Sequence, residues 1–136
     1  MISVALDTSA YSDAKRGLPD AAAIIRRADV LGMPSVVLGE LLAGFRGGKS
    51  ERKNLEELEE FLCSPRVVLL PVDRQTAGWY AEVWGALRAR GRPIPTNDLW
   101  IAALALQHGH RLFTRDTHFR EIAGLLVVTT PSDLVA

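Results

Sequence analysis

Apolar positions along the chain fall into five short runs separated by longer segments with helical spacing. The runs cover residues 2–6, 30–33, 67–70, 111–114 and 125–128; all are short, and the one at residues 2–6 is nearly continuous. Such runs are typical of strands that are covered on both faces of a sheet. The segments between them carry apolar residues three or four positions apart, which predicts helices. Because strands alternate with helices, the pattern predicts an α/β sandwich with a mainly parallel sheet.

Residues typical of helix ends mark several of the predicted helices. Asp7 and Asp73 are each positioned to accept hydrogen bonds from the first turn of a helix, and Ser35 is the expected N-cap of the helix that contains Glu40. The segment from Leu99 to Leu106 is apolar on every side, so it is predicted to be a helix inside the core rather than on the surface.

The length of 136 residues is that of one domain, which we expect to span residues 1–136. Sixteen basic and sixteen acidic residues cancel, so a nucleic-acid partner would need a local basic patch. The single cysteine, Cys63, excludes an internal disulfide and is expected to be a small core residue. The chain shows neither a signal-peptide pattern nor an apolar run of about 20 residues, so a cytoplasmic protein is expected.

Four acidic residues are predicted to reach one edge of the sheet. Asp7 directly follows the first strand, and Asp116 follows the fourth. Glu40 lies in the helix after the second strand, and Asp98 opens the apolar helix. Ligands of open α/β sheets bind beyond the carboxyl ends of the strands. The four carboxylates are therefore candidates for a single site.

Crowded carboxylates repel each other, and their pKa values rise. A divalent cation relieves the repulsion, and all-oxygen ligands favour a hard ion such as Mg²⁺ or Mn²⁺. Such a centre activates water and neutralises the charge that develops on a phosphodiester. The acidic set therefore predicts metal-dependent phosphodiester chemistry.

Taken singly, the acids have simpler interpretations. Asp7 and Asp116 are compatible with capping roles, and Asp98 with a first-turn acid that the helix dipole favours. Two other functions also remain open: phosphoryl transfer on an aspartate, and a non-catalytic binding module. The haloacid-dehalogenase type of phosphoryl transfer needs a second Asp two residues after the nucleophile, where this chain has Ser9.

The four acidic segments together resemble those of a PIN domain, specifically a VapC-type toxin ribonuclease, and the resemblance extends over nearly the whole chain. The segments are Leu6-Asp7-Thr8-Ser9, Gly39-Glu40-Leu41-Leu42-Ala43-Gly44, Thr96-Asn97-Asp98-Leu99-Trp100-Ile101-Ala102-Ala103 and Leu112-Phe113-Thr114-Arg115-Asp116-Thr117-His118-Phe119. The order and placement of all four make the resemblance specific.

The resemblance implies a Mg²⁺-dependent endoribonuclease, and Mn²⁺ is expected to support activity as well. It implies a three-layer α/β/α sandwich whose five-stranded sheet has the order 3-2-1-4-5, a homodimer, an RNA substrate and inhibition by a cognate VapB-type antitoxin. It also assigns four metal ligands, which are Asp7, Glu40, Asp98 and Asp116. A free-standing RNA-processing nuclease with a PIN domain would carry the same motifs, so both biological roles remain open.

Two further groups of residues are candidates for supporting roles at the site. The first group is expected either to orient carboxylates by hydrogen bonding or to cap turns, and it comprises Thr8, Ser9, Asn97 and Thr114. The second group consists of basic residues that are either RNA-phosphate contacts or ordinary surface residues, and it comprises Arg115, Arg46 and Lys49.

Overall fold

Five parallel strands form the centre of the computed structural model, which describes residues 1–135. The strands are β1 (Ser3–Leu6), β2 (Val30–Pro34), β3 (Val67–Leu70), β4 (Arg111–Phe113) and β5 (Val127–Val128). Their order in the sheet is β3-β2-β1-β4-β5, and every neighbouring pair is parallel. The predicted strand order of 3-2-1-4-5 is therefore confirmed.

Six α-helices cover the two faces of this sheet. They are α1 (Thr8–Lys15), α2 (Pro19–Arg27), α3 (Ser35–Phe45), α4 (Glu51–Leu62), α5 (Arg74–Ala89) and α6 (Thr96–His108). Two short 3₁₀ helices, Thr117–Glu121 and Pro131–Leu134, precede and follow β5. Two hydrophobic clusters fill the space between the sheet and its helices, as the predicted three-layer sandwich requires.

The alternation of side chains along β1 explains why both faces of the sheet need a helical cover. Val4 and Leu6 pack with Ile24 of α2 in one cluster, whereas Ala5 belongs to the other cluster with Leu104 of α6. All five side chains are fully buried. Successive strand residues point to opposite faces, so a strand that is apolar throughout buries both.

Helix α6 is the most buried helix of the fold, as its sequence predicts. Six of its residues are buried, namely Leu99, Ile101, Ala102, Ala103, Leu104 and Ala105. It ends at Gly109, whose φ of 68° lies in the left-handed region that glycine adopts without strain. Because α6 is enclosed by apolar neighbours, its first turn carries Asp98 to the margin of the core.

Two local predictions are wrong, and two are confirmed. Ser35 is the first residue of α3, and the cap position before it is taken by Pro34, which has no side-chain acceptor. Cys63 is exposed rather than buried, because it follows the last turn of α4 at the surface. Asp7 and Asp73 do cap α1 and α5, since each accepts a hydrogen bond from a first-turn backbone N–H.

In residues 1–135 we find no helix with the length and apolar character needed to cross a bilayer.

Candidate active site

The predicted acidic residues meet at the carboxyl edge of the sheet, which is the side where the parallel strands end. Asp7 directly follows β1, Asp116 follows β4, Glu40 lies in α3 and Asp98 lies in the first turn of α6. Asp98 experiences the charges of Asp116, Glu40 and Asp7, and Asp7 also experiences that of Asp116. The fold therefore brings the four carboxylates into one electrostatic field.

Asp7 is held in place by three hydrogen bonds and is only 7% exposed. Its Oδ1 accepts from Ser9 Oγ and from the Ala10 backbone N–H, both at 2.8 Å, and its Oδ2 accepts from Thr114 Oγ1. Burial raises the pKa of Asp7 most, the hydrogen bonds lower it, and the nearby Asp116 raises it. Each carboxylate oxygen has room for about two partners, so Oδ2 retains one free position.

Glu40 is oriented by side chains from two other helices. Thr8 Oγ1 of α1 donates to Glu40 Oε1 at 2.7 Å, and Asn97 Nδ2 of α6 donates to Oε2 at 3.3 Å. Each oxygen of Glu40 therefore keeps one position for a further partner. The polar residues that flank the motifs thus orient a carboxylate instead of merely closing turns.

One carboxylate oxygen of Asp116 accepts a hydrogen bond, and the other accepts none within residues 1–135. Its Oδ1 accepts from the His118 backbone N–H at 2.9 Å and lies 3.0 Å from His118 Nδ1. Its own backbone N–H donates to Thr114 Oγ1 at 2.9 Å. Thr114 thereby connects Asp116 to Asp7, because the same hydroxyl donates to Asp7 Oδ2.

Asp98 differs from the other three acids, since no group in residues 1–135 donates a hydrogen bond to its carboxylate. Burial raises the pKa of Asp98 most, and the charges of Asp116, Glu40 and Asp7 raise it further, to about 6. His118 lowers it slightly. A half-buried carboxylate with acidic neighbours and no donor is stabilised either by protonation or by a cation.

The donor set fits a hard divalent cation, because it consists of carboxylate oxygens with free positions. Nevertheless, within residues 1–135, no three His, Cys, Asp or Glu side chains already stand as ligands of one common ion. The four carboxylates can affect each other's pKa without converging on one point, because like charges favour rotamers that keep them apart. Asp98 has no hydrogen bond to lose when it turns toward a cation.

The basic candidates have separate locations. Arg115 forms an ion pair with Asp13 of α1, where Arg115 Nε lies 2.8 Å from Asp13 Oδ2. Arg46 and Lys49 are exposed beyond the end of α3, and their side chains make no hydrogen bond or ion pair in the described part of the chain. Sequence analysis missed Asp13, although its spacing of three residues from Arg16 indicated a helical ion pair.

Phosphoryl transfer on an aspartate is disfavoured by the environment of Asp7. The carboxylate is buried, and both of its oxygens accept hydrogen bonds, which lower the nucleophilicity of an oxyanion and leave one free position on Oδ2. Ser9, at the position where a second acid would be needed, donates to Asp7 and supplies no carboxylate. The observed hydrogen bonds are those of an oriented ligand.

Comparisons with known proteins identify the family of the chain. The family model described as the PIN domain matches residues 4–125. The chain is 30% identical over 133 residues to the VapC ribonuclease Y4jK of Sinorhizobium fredii, and the match covers 92% of this chain and 95% of the relative. It is 33% identical over 135 residues to the plasmid stability protein StbB of Pseudomonas syringae pv. tomato, with 92% and 96% covered.

The fold is also found in solved structures of toxin–antitoxin complexes. The structure of VapBC-1 from nontypeable Haemophilus influenzae matches with a TM-score of 0.80 and 27% identity, over 96% of this chain and 99% of that one. Family model, relatives and fold agree over nearly the whole chain. The chain therefore belongs to the PIN-domain family and groups with its VapC ribonucleases.

Proposed function

We propose that this protein is a metal-dependent endoribonuclease that hydrolyses RNA phosphodiester bonds and acts as the toxin of a VapBC-type module. The observation that carries the proposal is the position of Asp98. It is a half-buried carboxylate whose pKa is raised by the charges of three other acids, and within residues 1–135 it accepts no hydrogen bond. A divalent cation would relieve this charge, and hydrogen bonds hold two of the three acids that act on it, Asp7 and Glu40.

Each acid has a defined task in this proposal. Asp7 and Glu40 are the fixed ligands, because hydrogen bonds from Thr114, Ser9 and Thr8 hold them in place. Asp98 and Asp116 complete the set, since each has an oxygen without a hydrogen bond. A bound Mg²⁺ or Mn²⁺ supplies activation of water and neutralisation of the phosphodiester charge.

The partners follow from the relatives. The matched Haemophilus structure is a VapBC assembly, so we propose a VapB-type antitoxin as the inhibitory partner of this chain. RNA is the substrate class named by its ribonuclease relatives. We further propose a homodimer that acts in the cytoplasm, where cellular RNA is available.

The proposal is tested with the purified chain, a pool of mixed-sequence RNA oligonucleotides and either Mg²⁺ or Mn²⁺. We expect cleavage that stops on addition of EDTA. Asp98→Asn should reduce the cleavage rate by about a hundredfold or more, since it removes one charged ligand from the centre. Asp20→Asn is the matched control, because Asp20 is an exposed acid of α2 that lies outside the acidic set.

Metal binding is measured separately by thermal unfolding. Excess Mn²⁺ should raise the Tm of the unaltered chain and of Asp20→Asn, and it should not raise that of Asp98→Asn. Full cleavage activity in Asp98→Asn would remove the proposed centre. Absence of RNA cleavage by the unaltered chain with either ion would contradict the activity itself.

The toxin role is tested in growing bacteria. Expression of the unaltered chain should arrest growth, whereas expression of Asp98→Asn should not. Co-expression of the small gene next to this one, if it encodes a DNA-binding protein, should restore growth. RNA cleavage in vitro without growth arrest would instead support a free-standing RNA-processing nuclease.

A further inference from the structure

Asp13 is a buried carboxylate outside the acidic set, and each of its oxygens contacts a different arginine. It lies on α1 and is 4% exposed. Arg16 Nη2 is 2.6 Å from Oδ1, and Arg115 Nε is 2.8 Å from Oδ2. An ionised carboxylate removed from water is costly unless it is paired, so the two guanidinium groups together stabilise this charge.

The Arg115 side of this cluster is connected to the proposed metal centre. Arg115 directly precedes Asp116, and its backbone N–H donates to Ser9 Oγ at 3.5 Å. Ser9 Oγ in turn donates to Asp7 Oδ1 at 2.8 Å. The ion pair with Asp13 therefore orients the side chain of a residue whose backbone is already joined to the centre.

The ion pair leaves most of the Arg115 guanidinium available. Nε makes the 2.8 Å contact with Asp13, and the terminal nitrogens Nη1 and Nη2 donate no hydrogen bond within residues 1–135. The Arg115 side chain is 62% exposed. A guanidinium presents its N–H groups in a planar fork that matches two oxygens of a phosphate. A phosphate arriving from solvent can therefore bind the outer nitrogens while Asp13 keeps the inner one.

RNA needs such a contact because the centre itself is acidic. The formal net charge of the chain is zero, so there is no overall field that attracts a polyanion. We propose that Asp13 and Arg115 form a phosphate-binding subsite beside the metal centre, where Arg115 contacts the RNA backbone and Asp13 is the positioning residue that orients its guanidinium. This inference rests on the proposed ribonuclease function.

The substitution Asp13→Asn distinguishes two roles of Asp13: orientation of Arg115, and a negative charge that repels RNA. If charge alone mattered, Asp13→Asn would tighten RNA binding, because one negative charge near the RNA would disappear. If Asp13 orients Arg115, the same substitution weakens binding, because the freed side chain must be immobilised when RNA binds. The two effects have opposite signs.

Binding is measured by fluorescence anisotropy with a short, fluorescein-labelled, mixed-sequence RNA in Mg²⁺. All variants carry Asp98→Asn, so that the RNA stays intact. Arg115→Gln should weaken binding about tenfold, as loss of a charged hydrogen bond does. It should also lower the slope of log K against log salt by about 0.7, the value for one phosphate contact to a single strand.

Asp13→Asn should weaken binding about threefold, which corresponds to the cost of ordering one long side chain. Because Asp13 acts through Arg115, the double variant should bind no more weakly than Arg115→Gln alone. Asp20→Asn is the matched control, since it removes an exposed acid that does not contact Arg115, and its affinity should not fall.

Circular dichroism melting curves show whether each variant is folded. If Asp13→Asn does not fold, Arg115→Lys tests the same orientation from the other partner, because lysine keeps the charge and lacks the fork. It should then bind nearly as weakly as Arg115→Gln. Unchanged or tighter binding by folded Asp13→Asn, or parental affinity in Arg115→Gln or Arg115→Lys, would overturn the subsite.

The two proposals fail in different ways. If the unaltered chain cleaves RNA and Arg115→Gln binds RNA with parental affinity, the subsite is wrong and the ribonuclease function stands. If the unaltered chain neither binds nor cleaves RNA, the ribonuclease function is wrong, and the subsite falls with it.

Discussion

Within residues 1–135, a polar group without a hydrogen-bond partner lies at each of two edges of the sheet, the carboxyl edge and the amino edge, and the two groups differ in kind. At the carboxyl edge, Asp98 accepts no hydrogen bond, and burial among acids raises its pKa to about 6. At the amino edge, where the strands begin, Nε2 of His110 is buried without a partner. Burial lowers the pKa of this imidazole.

Charge explains why the two groups have different consequences. Nδ1 of His110 donates to the His108 carbonyl at 3.1 Å, so the neutral ring has one unmet acceptor at Nε2. An unmet hydrogen bond costs about 1–3 kcal/mol, which a fold tolerates. Ionised Asp98 carries a full charge among other acids and needs a counterion. The carboxyl edge is therefore where a proton or a cation is needed to neutralise charge, whereas the unmet acceptor of the neutral imidazole at the amino edge needs neither.

Overpacking the middle of β2, beside His110, should give the largest loss of stability. A Cβ on Gly32 of β2 would lie 2.7 Å from Leu70 Cδ1 and 3.0 Å from His110 Cδ2. Gly32→Ala should therefore lower the free energy of unfolding by about 2 kcal/mol, as overpacking of a core does. Gly78→Ala in α5 is the matched control, because its added Cβ meets nothing within 4 Å. Equal urea midpoints for the two variants would mean that Gly32 is not closely packed against Leu70 and His110.

A smaller loss of stability is expected at the amino edge, where Arg66 precedes β3. Its Nη1 donates to the carbonyls of Ile25 and Ala28 at 2.9 Å and 2.6 Å, which joins the end of α2 to the start of β3. Arg66→Met removes both hydrogen bonds and should lower the free energy of unfolding by about 1–2 kcal/mol in urea titrations.

The control for Arg66 is Arg27→Met, which changes an exposed residue in the last turn of α2. Its effect on the free energy of unfolding should stay within about 0.5 kcal/mol. If Arg66→Met is as stable as this control, the end of α2 does not depend on Arg66.

At the carboxyl edge, Asp98→Asn should increase the free energy of unfolding when no metal is added, whereas the substitutions of Gly32 and Arg66 decrease it. Because the folded pKa of Asp98 is raised above its ordinary value of 3.8 to about 6, stability falls as pH rises between those values. The substitution should remove this slope and raise the free energy of unfolding by about 1 kcal/mol at pH 8, after allowance for solvent screening of a partly exposed group.

Excess Mn²⁺ should reverse this order, because it stabilises only the chain that retains Asp98. The measurement is urea unfolding at several pH values with and without Mn²⁺. If Asp98→Asn is less stable than the unaltered chain at pH 8 without metal, Asp98 has a structural partner in the protein. The proposed difference between the carboxyl and amino edges would then be wrong.

His110 should give the smallest effect, with the opposite dependence on pH. Its folded pKa lies below the ordinary value of 6.5, so its contribution to stability is lost as pH falls through that value. His110→Gln should flatten the decrease in unfolding free energy between about pH 7 and pH 5 by less than ~1 kcal/mol. His108→Gln removes only the smaller charge effect on this pKa and leaves the burial of His110 in place, so it should flatten the decrease less than His110→Gln does.

Much of the fold follows from the pattern of apolar residues, because burial leaves a strong record in a sequence. The apolar runs at β1 and β2 and the apolar character of α6 predict strands and a helix that are enclosed, and the structure encloses them. Cys63 shows the limit of such reasoning. Its apolar neighbours predict burial, but a helix end at the surface exposes it.

The amino-acid sequence alone was enough to predict the alternating strands and helices, which the structure confirms, and it singled out four acids that follow or flank them as a predicted site. The contacts between distant side chains needed the folded chain, as in Asn97 with Glu40 and Arg115 with Asp13. Periodic patterns record whether a residue is buried or exposed, which is a property of that residue and its local segment. A contact between two segments depends on strand register and helix rotation, and these are set by the packing of the whole core.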